Sequence, residues 1–256
     1  MGVQNMIYRV YERKLAKQIE GKPVPRHVGI MIDGNRRWAR SMGYTDPNDG
    51  HRAGAKHLER FLTWCDEFGV SHVTVYMLST ENFSRPAEEL NPLLKIIADL
   101  AADLSSAGLP WRIKTVGALD LLPEDLAASL KAAQERTEGR TGGASVNLAV
   151  GYGGHQEITD AVKSALTEYA AQGKSLDEAC ELLDSDTIGK HLYTTGQPDA
   201  DLVIRTSGEQ RLSGFLLWQS AYSEFYFCDT NWPDFRRVDF LRALRSFSNR
   251  NRRYGK

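Results

Sequence analysis

An α/β fold with a central, mostly parallel β-sheet flanked by helices is what this sequence predicts, and two observations predict it. Short apolar runs rich in β-branched residues alternate with longer segments of helical period. That alternation marks strands joined by helical crossovers and covered on both faces. Clusters of glycine, asparagine and arginine then follow the C-terminal ends of the apolar runs, where open α/β sheets bind ligands. The 256 residues suffice for one large domain, and no Pro/Gly/Ser-rich linker divides them, so one domain over 1–256 is expected.

Residues 6–20 read as an amphipathic helix, with Ile7, Val10, Tyr11, Leu15 and Ile19 at helical spacing. This N-terminal segment, 1–24, is expected to dock on the domain. A weak peripheral membrane contact is the alternative for a helix that also carries Arg13, Lys14 and Lys17. Pro23 and Pro25 break the chain before a first strand at His27 to Ile32. A polar loop follows Trp38, running through Pro47-Asn48-Asp49-Gly50.

Ala55, Leu58, Phe61, Leu62 and Cys65 share one face of a helix from about Arg52 to Phe68, ended by Gly69. Val73 to Leu78 is the second strand, running into Ser79-Thr80-Glu81-Asn82-Phe83-Ser84-Arg85-Pro86. Helix resumes near Glu88 and continues to about Ser106; strand follows at Arg112 to Gly117 and helix at Leu122 to Glu138. Val146 to Val150 is a buried strand leading into Gly151-Tyr152-Gly153-Gly154. Helices at Glu157 to Gln172 and Ser175 to Leu183, strands at Leu202 to Arg205 and Phe225 to Phe227, and a helix at Asp239 to Asn249 complete the chain.

Composition narrows the function. The chain carries 32 Lys+Arg against 33 Asp+Glu, a net charge of −1, so it is not built to coat a polyanion and no nucleic-acid partner is expected. The segment 236–256 is locally basic, but no nucleic-acid-binding motif accompanies it. Cys65, Cys180 and Cys228 are dispersed without metal-ligand spacing, which suggests a reducing compartment. No apolar run approaches the ~20 residues of a membrane span, and no secretory h-region opens the chain. The expectation is a cytoplasmic protein, membrane-peripheral at most.

The densest chemistry lies in His27-Val28-Gly29-Ile30-Met31-Ile32-Asp33-Gly34-Asn35-Arg36-Arg37-Trp38. An apolar strand ends in a carboxylate, then a Gly-Asn turn and two guanidinium groups. Asp33 could hold a hard cation, or simply cap a turn. Arg37, and less so Arg36, could grip phosphate in the bidentate manner lysine cannot match. His51, in Gly50-His51-Arg52-Ala53-Gly54, could donate to the same anion. Ser79, Glu81, Asn82 and Arg85 could orient a substrate, or be ordinary turn chemistry. A second anion site is suggested by Arg205, Arg211 and Ser213 in Asp201-Leu202-Val203-Ile204-Arg205-Thr206-Ser207-Gly208-Glu209-Gln210-Arg211-Leu212-Ser213. Glu224, a carboxylate among aromatics, is a candidate second metal ligand, since such a group is costly unless paired. Two separated anion sites suggest two phosphate-bearing substrates. A Gly-x-x-x-x-Gly-Lys-Ser/Thr loop and a Gly-x-Ser-x-Gly elbow are both missing, which argues against ordinary nucleotide hydrolysis and serine hydrolysis.

These segments together resemble the cis-prenyltransferase family, which includes undecaprenyl diphosphate synthase. The resemblance runs from about Pro25 to the C-terminus through six ordered motifs: His27 to Arg40, Gly50 to Gly54, Ser79 to Pro86, Gly151 to Gly154, Asp201 to Ser213, and Phe215 to Phe227. It implies a homodimer, an apolar product tunnel between sheet and helices, and condensation of isopentenyl diphosphate with an allylic diphosphate to form a cis double bond. It makes Asp33 the Mg²⁺-linked catalytic carboxylate and Glu224 a further Mg²⁺ ligand. Gly34, Asn35, Arg36, Arg37, Trp38 and His51 would surround the allylic diphosphate. Ser79, Thr80, Glu81, Phe83 and Arg85 would complete the substrate site, with Asn82 assisting deprotonation or orientation. Arg205, Arg211 and Ser213 would hold isopentenyl diphosphate, and Arg253-Tyr254-Gly255 resembles an element that reaches the dimer partner. The chain lacks an Asp-Asp-x-x-Asp cluster, which sets it apart from the all-helical trans-type prenyl synthases.

Met77 and Val150 stand where long-chain members carry small residues, and the pattern is nearest the short-chain actinobacterial farnesyl diphosphate synthases. Bulk at those positions should block elongation. The expected product is therefore (2Z,6E)-farnesyl diphosphate from geranyl diphosphate, with a medium- or long-chain decaprenyl or undecaprenyl diphosphate synthase as the alternative. Two departures from the family pattern stand out: the loop Ser41 to Asp49 lacks a common arginine, and Phe83 replaces a common tryptophan.

Overall fold

The computed structural model describes residues 2–250, with side chains from Tyr8 onward. Six strands form one sheet: β1 (His27–Met31), β2 (His72–Ser79), β3 (Arg112–Val116), β4 (Ser145–Tyr152), β5 (Leu202–Arg205) and β6 (Glu224–Phe227). Their order is β3-β4-β2-β1-β5-β6, and every neighbouring pair is parallel. The expected "mostly parallel" sheet is thus parallel throughout the described residues. Parallel neighbours need crossovers, and α2 (Asn35–Ser41), α3 (Asn48–Glu67), α4 (Ala87–Leu104), α5 (Glu124–Thr137), α6 (Gly154–Ala171), α7 (Leu176–Leu182) and α8 (Ser185–His191) lie between strands, while α1 (Gly2–Ile19) precedes β1 and α9 (Arg237–Ser248) follows β6.

Strand alternation splits the core between two faces. Val28, Ile30, Val73, Val75, Leu148 and Ile204 face the helices that contribute Leu15, Phe61, Ile97, Leu130 and Leu241. Met31, Ala149, Tyr152 and Val203 face the other way, onto Phe215 and Leu216. The N-terminal helix packs on α9, with Leu15 and Ile19 buried, the docked arrangement. No described helix is long and apolar enough to cross a membrane.

Two helices depart from the sequence reading. Residues 35–41 form α2 where a turn and loop were expected, and α8 was not expected at all. Each has seven residues, too few to display a period. Only Asn35 and Ala39 are buried in α2, so its stability comes from docking on α3 rather than from propensity. Asp184 caps α8 by accepting from the Thr187 amide at 2.8 Å.

A buried polar chain crosses the sheet. His27 Nδ1 lies 2.7 Å from the Pro198 carbonyl, which can only accept, so Nδ1 carries the proton. Nε2 then accepts from Thr74 Oγ1 at 2.8 Å, and Asn147 Nδ2 donates to Thr74 Oγ1 at 2.9 Å and to Gln197 Oε1 at 2.8 Å. Protonating His27 would put a second donor against the Thr74 hydroxyl in a dry interior. Burial therefore holds the imidazole down to about 4 from an ordinary value of 6.5. A histidine favoured in its neutral form stabilises the fold fully above pH 6.5 and loses that contribution as pH falls towards 4. Denaturant unfolding of wild type should show stability falling by on the order of 3 kcal/mol from this group across that window. His27→Gln should be less stable at pH 7.5 but show a shallower acid slope; identical slopes would refute the assignment.

Candidate active site

The site is assembled where β1, β2 and β5 end. Asp33 follows β1, and its backbone is clamped by one hydroxyl: Thr206 Oγ1 accepts from the Asp33 amide at 3.0 Å and lies 2.7 Å from the Asp33 carbonyl. Arg205, the last residue of β5, is buried with its side chain 5% exposed, while Asp33 is 37% exposed. Arg205 Nη2 donates to Asp33 Oδ2 at 2.9 Å, and Nη1 donates to Ser213 Oγ at 3.1 Å and to the Arg211 carbonyl. The Gly34 amide donates to Asp33 Oδ1 at 2.6 Å. Burial pushes the Asp33 carboxyl up, but the hydrogen bonds from Arg205 and Gly34 outweigh it and hold the carboxyl below its ordinary value.

Gly34 is needed for two reasons. Its φ is +98°, and a Cβ there would meet Asn231 Oδ1 at 2.3 Å. The next residue, Asn35, is fixed by α3: a Cβ at Gly50 would stand 2.0 Å from the Asn35 carbonyl, and one at Gly54 would stand 2.3 Å from Asn35 Oδ1. The Gly50-to-Gly54 motif is therefore the flat surface on which α2 rests. It also places His51 on the cavity wall with its buried Nε2 unpartnered. Burial, then the charges of Arg85 and Arg36, lower His51 to about 4, so it is a neutral imidazole at pH 7. Arg36 and Arg85 both reach Glu89 Oε1, at 2.7 and 3.2 Å. Arg37 donates to the Ser207 carbonyl at 3.0 Å and Oγ at 2.6 Å.

The second arginine-rich loop is joined to the first. Glu209 lies 3.7 Å from Arg37 and pairs with Arg211. Tyr76 Oη donates to the Ser213 carbonyl at 3.1 Å, and its ring stacks on Phe215 with centroids 4.7 Å apart. Glu209 and Tyr76 were absent from the sequence-derived site. Glu209 sits inside a motif already singled out, whereas Tyr76 read only as part of a strand.

These groups surround a cavity of about 840 Å³. Asp33, Gly34, Asn35, Arg36, Arg37, His51, Met77, Ser79, Glu81, Asn82, Arg85, Arg205, Arg211 and Ser213 all line it, as expected from sequence. Beyond the polar end, Leu78 and the α4 residues Leu93, Ile96, Ile97 and Leu100 form an apolar wall.

Five expected residues do not line it. Trp38 stacks on Tyr44 with centroids 5.7 Å apart. Thr80 packs against Gly153, where a Cβ would come within 2.7 Å of its hydroxyl. Phe83 packs on the core. Val150 is fully buried and sits beside Leu78 in the sheet, in register with it, without itself lining the cavity. Glu224 opens β6 in register with Leu202, three residues before the Phe227–Arg205 pair. That is roughly 10 Å along the strand from the Asp33 end. It pairs with Arg250, so within one chain Glu224 and Asp33 cannot share an ion. The Arg253-Tyr254-Gly255 element lies outside the described residues.

Among the described residues no group of three His, Cys, Asp or Glu side chains could hold a metal unaided. Asp33 is part-exposed and has lone pairs left beside its two hydrogen bonds. One carboxylate facing a phosphate-sized basic cavity suits a hard divalent cation that completes its shell with water and substrate phosphate oxygens, as Mg²⁺ does.

Comparison with known proteins identifies relatives of the chain. A family model described as "Putative undecaprenyl diphosphate synthase" matches residues 30–255. Isoprenyl transferase 2 of Streptomyces coelicolor is 56% identical over 247 residues, 96% of each chain. The (2Z,6E)-farnesyl diphosphate synthase of Thermobifida fusca is 58% identical over 249 residues, 97% of each chain. A crystal structure of lavandulyl diphosphate synthase from Lavandula x intermedia, in complex with dimethylallyl diphosphate, matches with a TM-score of 0.83. It is 33% identical and covers 91% of this chain and 99% of its own.

The Asp33–Arg205 pair makes a direct prediction. In Arg205→Gln, burial is no longer outweighed and the Asp33 carboxyl should titrate at higher pH than in wild type, read by carbon-detected NMR of the side-chain carboxyl. An unchanged midpoint would mean that Arg205 does not set the charge state of Asp33.

Proposed function

The chain belongs to the undecaprenyl diphosphate synthase family of isoprenyl transferases, and from that premise we propose that it condenses isopentenyl diphosphate once with geranyl diphosphate, giving (2Z,6E)-farnesyl diphosphate and diphosphate. The observation that carries the short-chain reading is Met77 on the wall of the cavity, beside the apolar residues of α4. The identity to the Thermobifida fusca enzyme supports the same reading.

In this reading Arg36, Arg37, Arg85 and His51 receive the allylic diphosphate. The arginines neutralise its charge, and neutral His51 donates one hydrogen bond from Nε2 to a phosphate oxygen. Glu89 and Glu209 hold these arginines in place beforehand, so little side-chain entropy is lost on binding. Arg205, Arg211 and Ser213 receive the diphosphate of isopentenyl diphosphate. Fixing both substrates by their charged ends aligns the reacting carbons at the mouth of the apolar wall, replacing a bimolecular encounter with positioning. Mg²⁺ held by Asp33 would supply further neutralisation of the departing diphosphate. Asn82 lines the cavity and accepts from the Ser79 amide at 3.2 Å. A carboxamide is no base at neutral pH, so its role is orientation rather than deprotonation. The apolar wall shields allylic cation character from water and binds the hydrocarbon at roughly 0.8 kcal/mol per CH₂ buried. A homodimer is part of the proposal: β6 is an edge strand, with Tyr222 exposed before its start and Phe227 exposed at its end, the kind of surface a second copy covers.

The test is incorporation of labelled isopentenyl diphosphate with Mg²⁺ and geranyl, farnesyl or geranylgeranyl diphosphate, with products sized after dephosphorylation. A single C15 product from geranyl diphosphate is expected; long products would overturn the short-chain reading, and no incorporation would overturn catalysis by this chain alone. Asp33→Asn should lower turnover by roughly 10²–10³-fold and, by leaving buried Arg205 without its carboxylate, also lower the unfolding temperature. Met77→Ala should extend products beyond C15; an unchanged product length would remove Met77 as the stop.

A further inference from the structure

The chain has a second concave basic surface that shares no residue with the cavity at Asp33. It is a cleft of about 710 Å³ enclosed by the end of α1, by Tyr226 of β6 and by the last turns of α9. Lys22, Arg242, Arg245 and Arg250 line it. Two of these are matched by carboxylates: Arg242 donates to buried Asp239 at 3.0 Å, and Arg250 pairs with Glu224. Among the described residues the other two meet neutral oxygens and no carboxylate, Lys22 at Asn249 Oδ1 (2.8 Å) and Arg245 at Gln18 Oε1 (3.4 Å).

The guanidinium groups are held in position. Arg242 lies over the Tyr11 ring, 5.3 Å from its centroid, and Arg245, three residues on, projects from the same face of α9. The hydrogen bond from Arg242, with the charges of Arg242 and Arg245, lowers the Tyr11 phenol despite its partial burial, a sign of positive potential at the cleft. Basic residues in a last helical turn often serve only the helix dipole. That accounts for Arg245 but not for Lys22, which lies in the turn after α1, or for Arg250, which follows the helix. With an overall charge of −1, this concentration is local to one cleft.

We propose that the cleft is a second phospho-anion site, taking a phosphate or diphosphate group presented by a free anion or by a lipid headgroup. Forked guanidinium donors on a concave surface suit tetrahedral phosphate oxygens, and the Tyr226 hydroxyl adds a neutral donor. The site is independent of the prenyl-transfer reading and is read without it.

Inorganic diphosphate is titrated calorimetrically into the full chain, and the chain is floated with phosphatidylcholine vesicles with and without phosphatidylglycerol. The double variant Lys22→Gln/Arg245→Gln removes the two cations that lack carboxylates and leaves the Arg242–Asp239 pair intact. Wild type should bind diphosphate at a site additional to the one at Asp33, or float with the anionic vesicles. The double variant should lose that binding by roughly tenfold or more while retaining wild-type prenyl transfer. The arm that changes identifies the source of the phosphate group. Single variants, each weaker in the same arm, provide the reading should the double variant fail to fold. Wild type and variants behaving alike in both arms would overturn the proposal.

Discussion

The site depends on one ion pair, between Asp33 and Arg205. Arg205 ends β5 and Asp33 stands two residues past the end of its parallel neighbour β1, so the sheet delivers both backbones to the same place. Arg205 is nearly fully buried, and a buried guanidinium with no carboxylate would be costly. Asp33 supplies that carboxylate, and Arg205 in turn keeps Asp33 ionised. The remaining donors of Arg205 reach the Arg211 carbonyl and Ser213 hydroxyl, so the same side chain that fixes the metal-type carboxylate also shapes the second anion loop. Both halves of the site therefore respond to one residue.

Around that pair the chain uses close backbone approach rather than large side chains. Gly50 and Gly54 let α3 lie directly on Asn35, and Trp232 Nε1 donates to the Gly54 carbonyl at 2.8 Å, tying the same turn to the aromatic core. The carboxylates Glu89 and Glu209 then hold four arginines between them. Such exposed pairs contribute little to stability; their effect is on where the cations stand before a polyanion arrives.

Most of the fold was legible because strands buried on both faces are continuous apolar runs, and because the ligand-facing ends of a parallel sheet collect polar motifs. The sheet and its covering helices follow from that logic, as do most of the fourteen proposed residues on one cavity, whereas Met77 was marked by the family resemblance alone. What was not legible has physical reasons. Helix α2 is too short and too polar to show a period. Glu224 stands out because it is polar among aromatics, although it lies at the start of the strand expected at Phe225 to Phe227, and in a parallel sheet the start of a strand lies away from Asp33. Tyr76 holds Ser213 across 137 residues of sequence, a pairing that exists only after β2 and the loop following β5 have been brought together.

The cavity wall shows the same limit at finer scale. Strict alternation along β2 would turn Met77 to the helices and Leu78 to the opposite face. The structure interrupts it: Tyr76 pairs with Ala149 and Leu78 with Val150, leaving Met77 between them without a ladder partner. This bulge puts both Met77 and Leu78 on the cavity, which is how bulges beside active sites re-aim side chains. The consequence is an asymmetry between two bulky neighbours. Leu78 is fully packed in the core and in register with Val150, so removing its volume would open the sheet's own packing. Met77 is only partly buried and sits outside the ladder, so its volume can change with little disturbance to the strands. Under the short-chain proposal, a position adjustable in size and constrained in direction would set how much hydrocarbon the cavity admits, and the bulge gives Met77 that position while Val150 stays in the ladder.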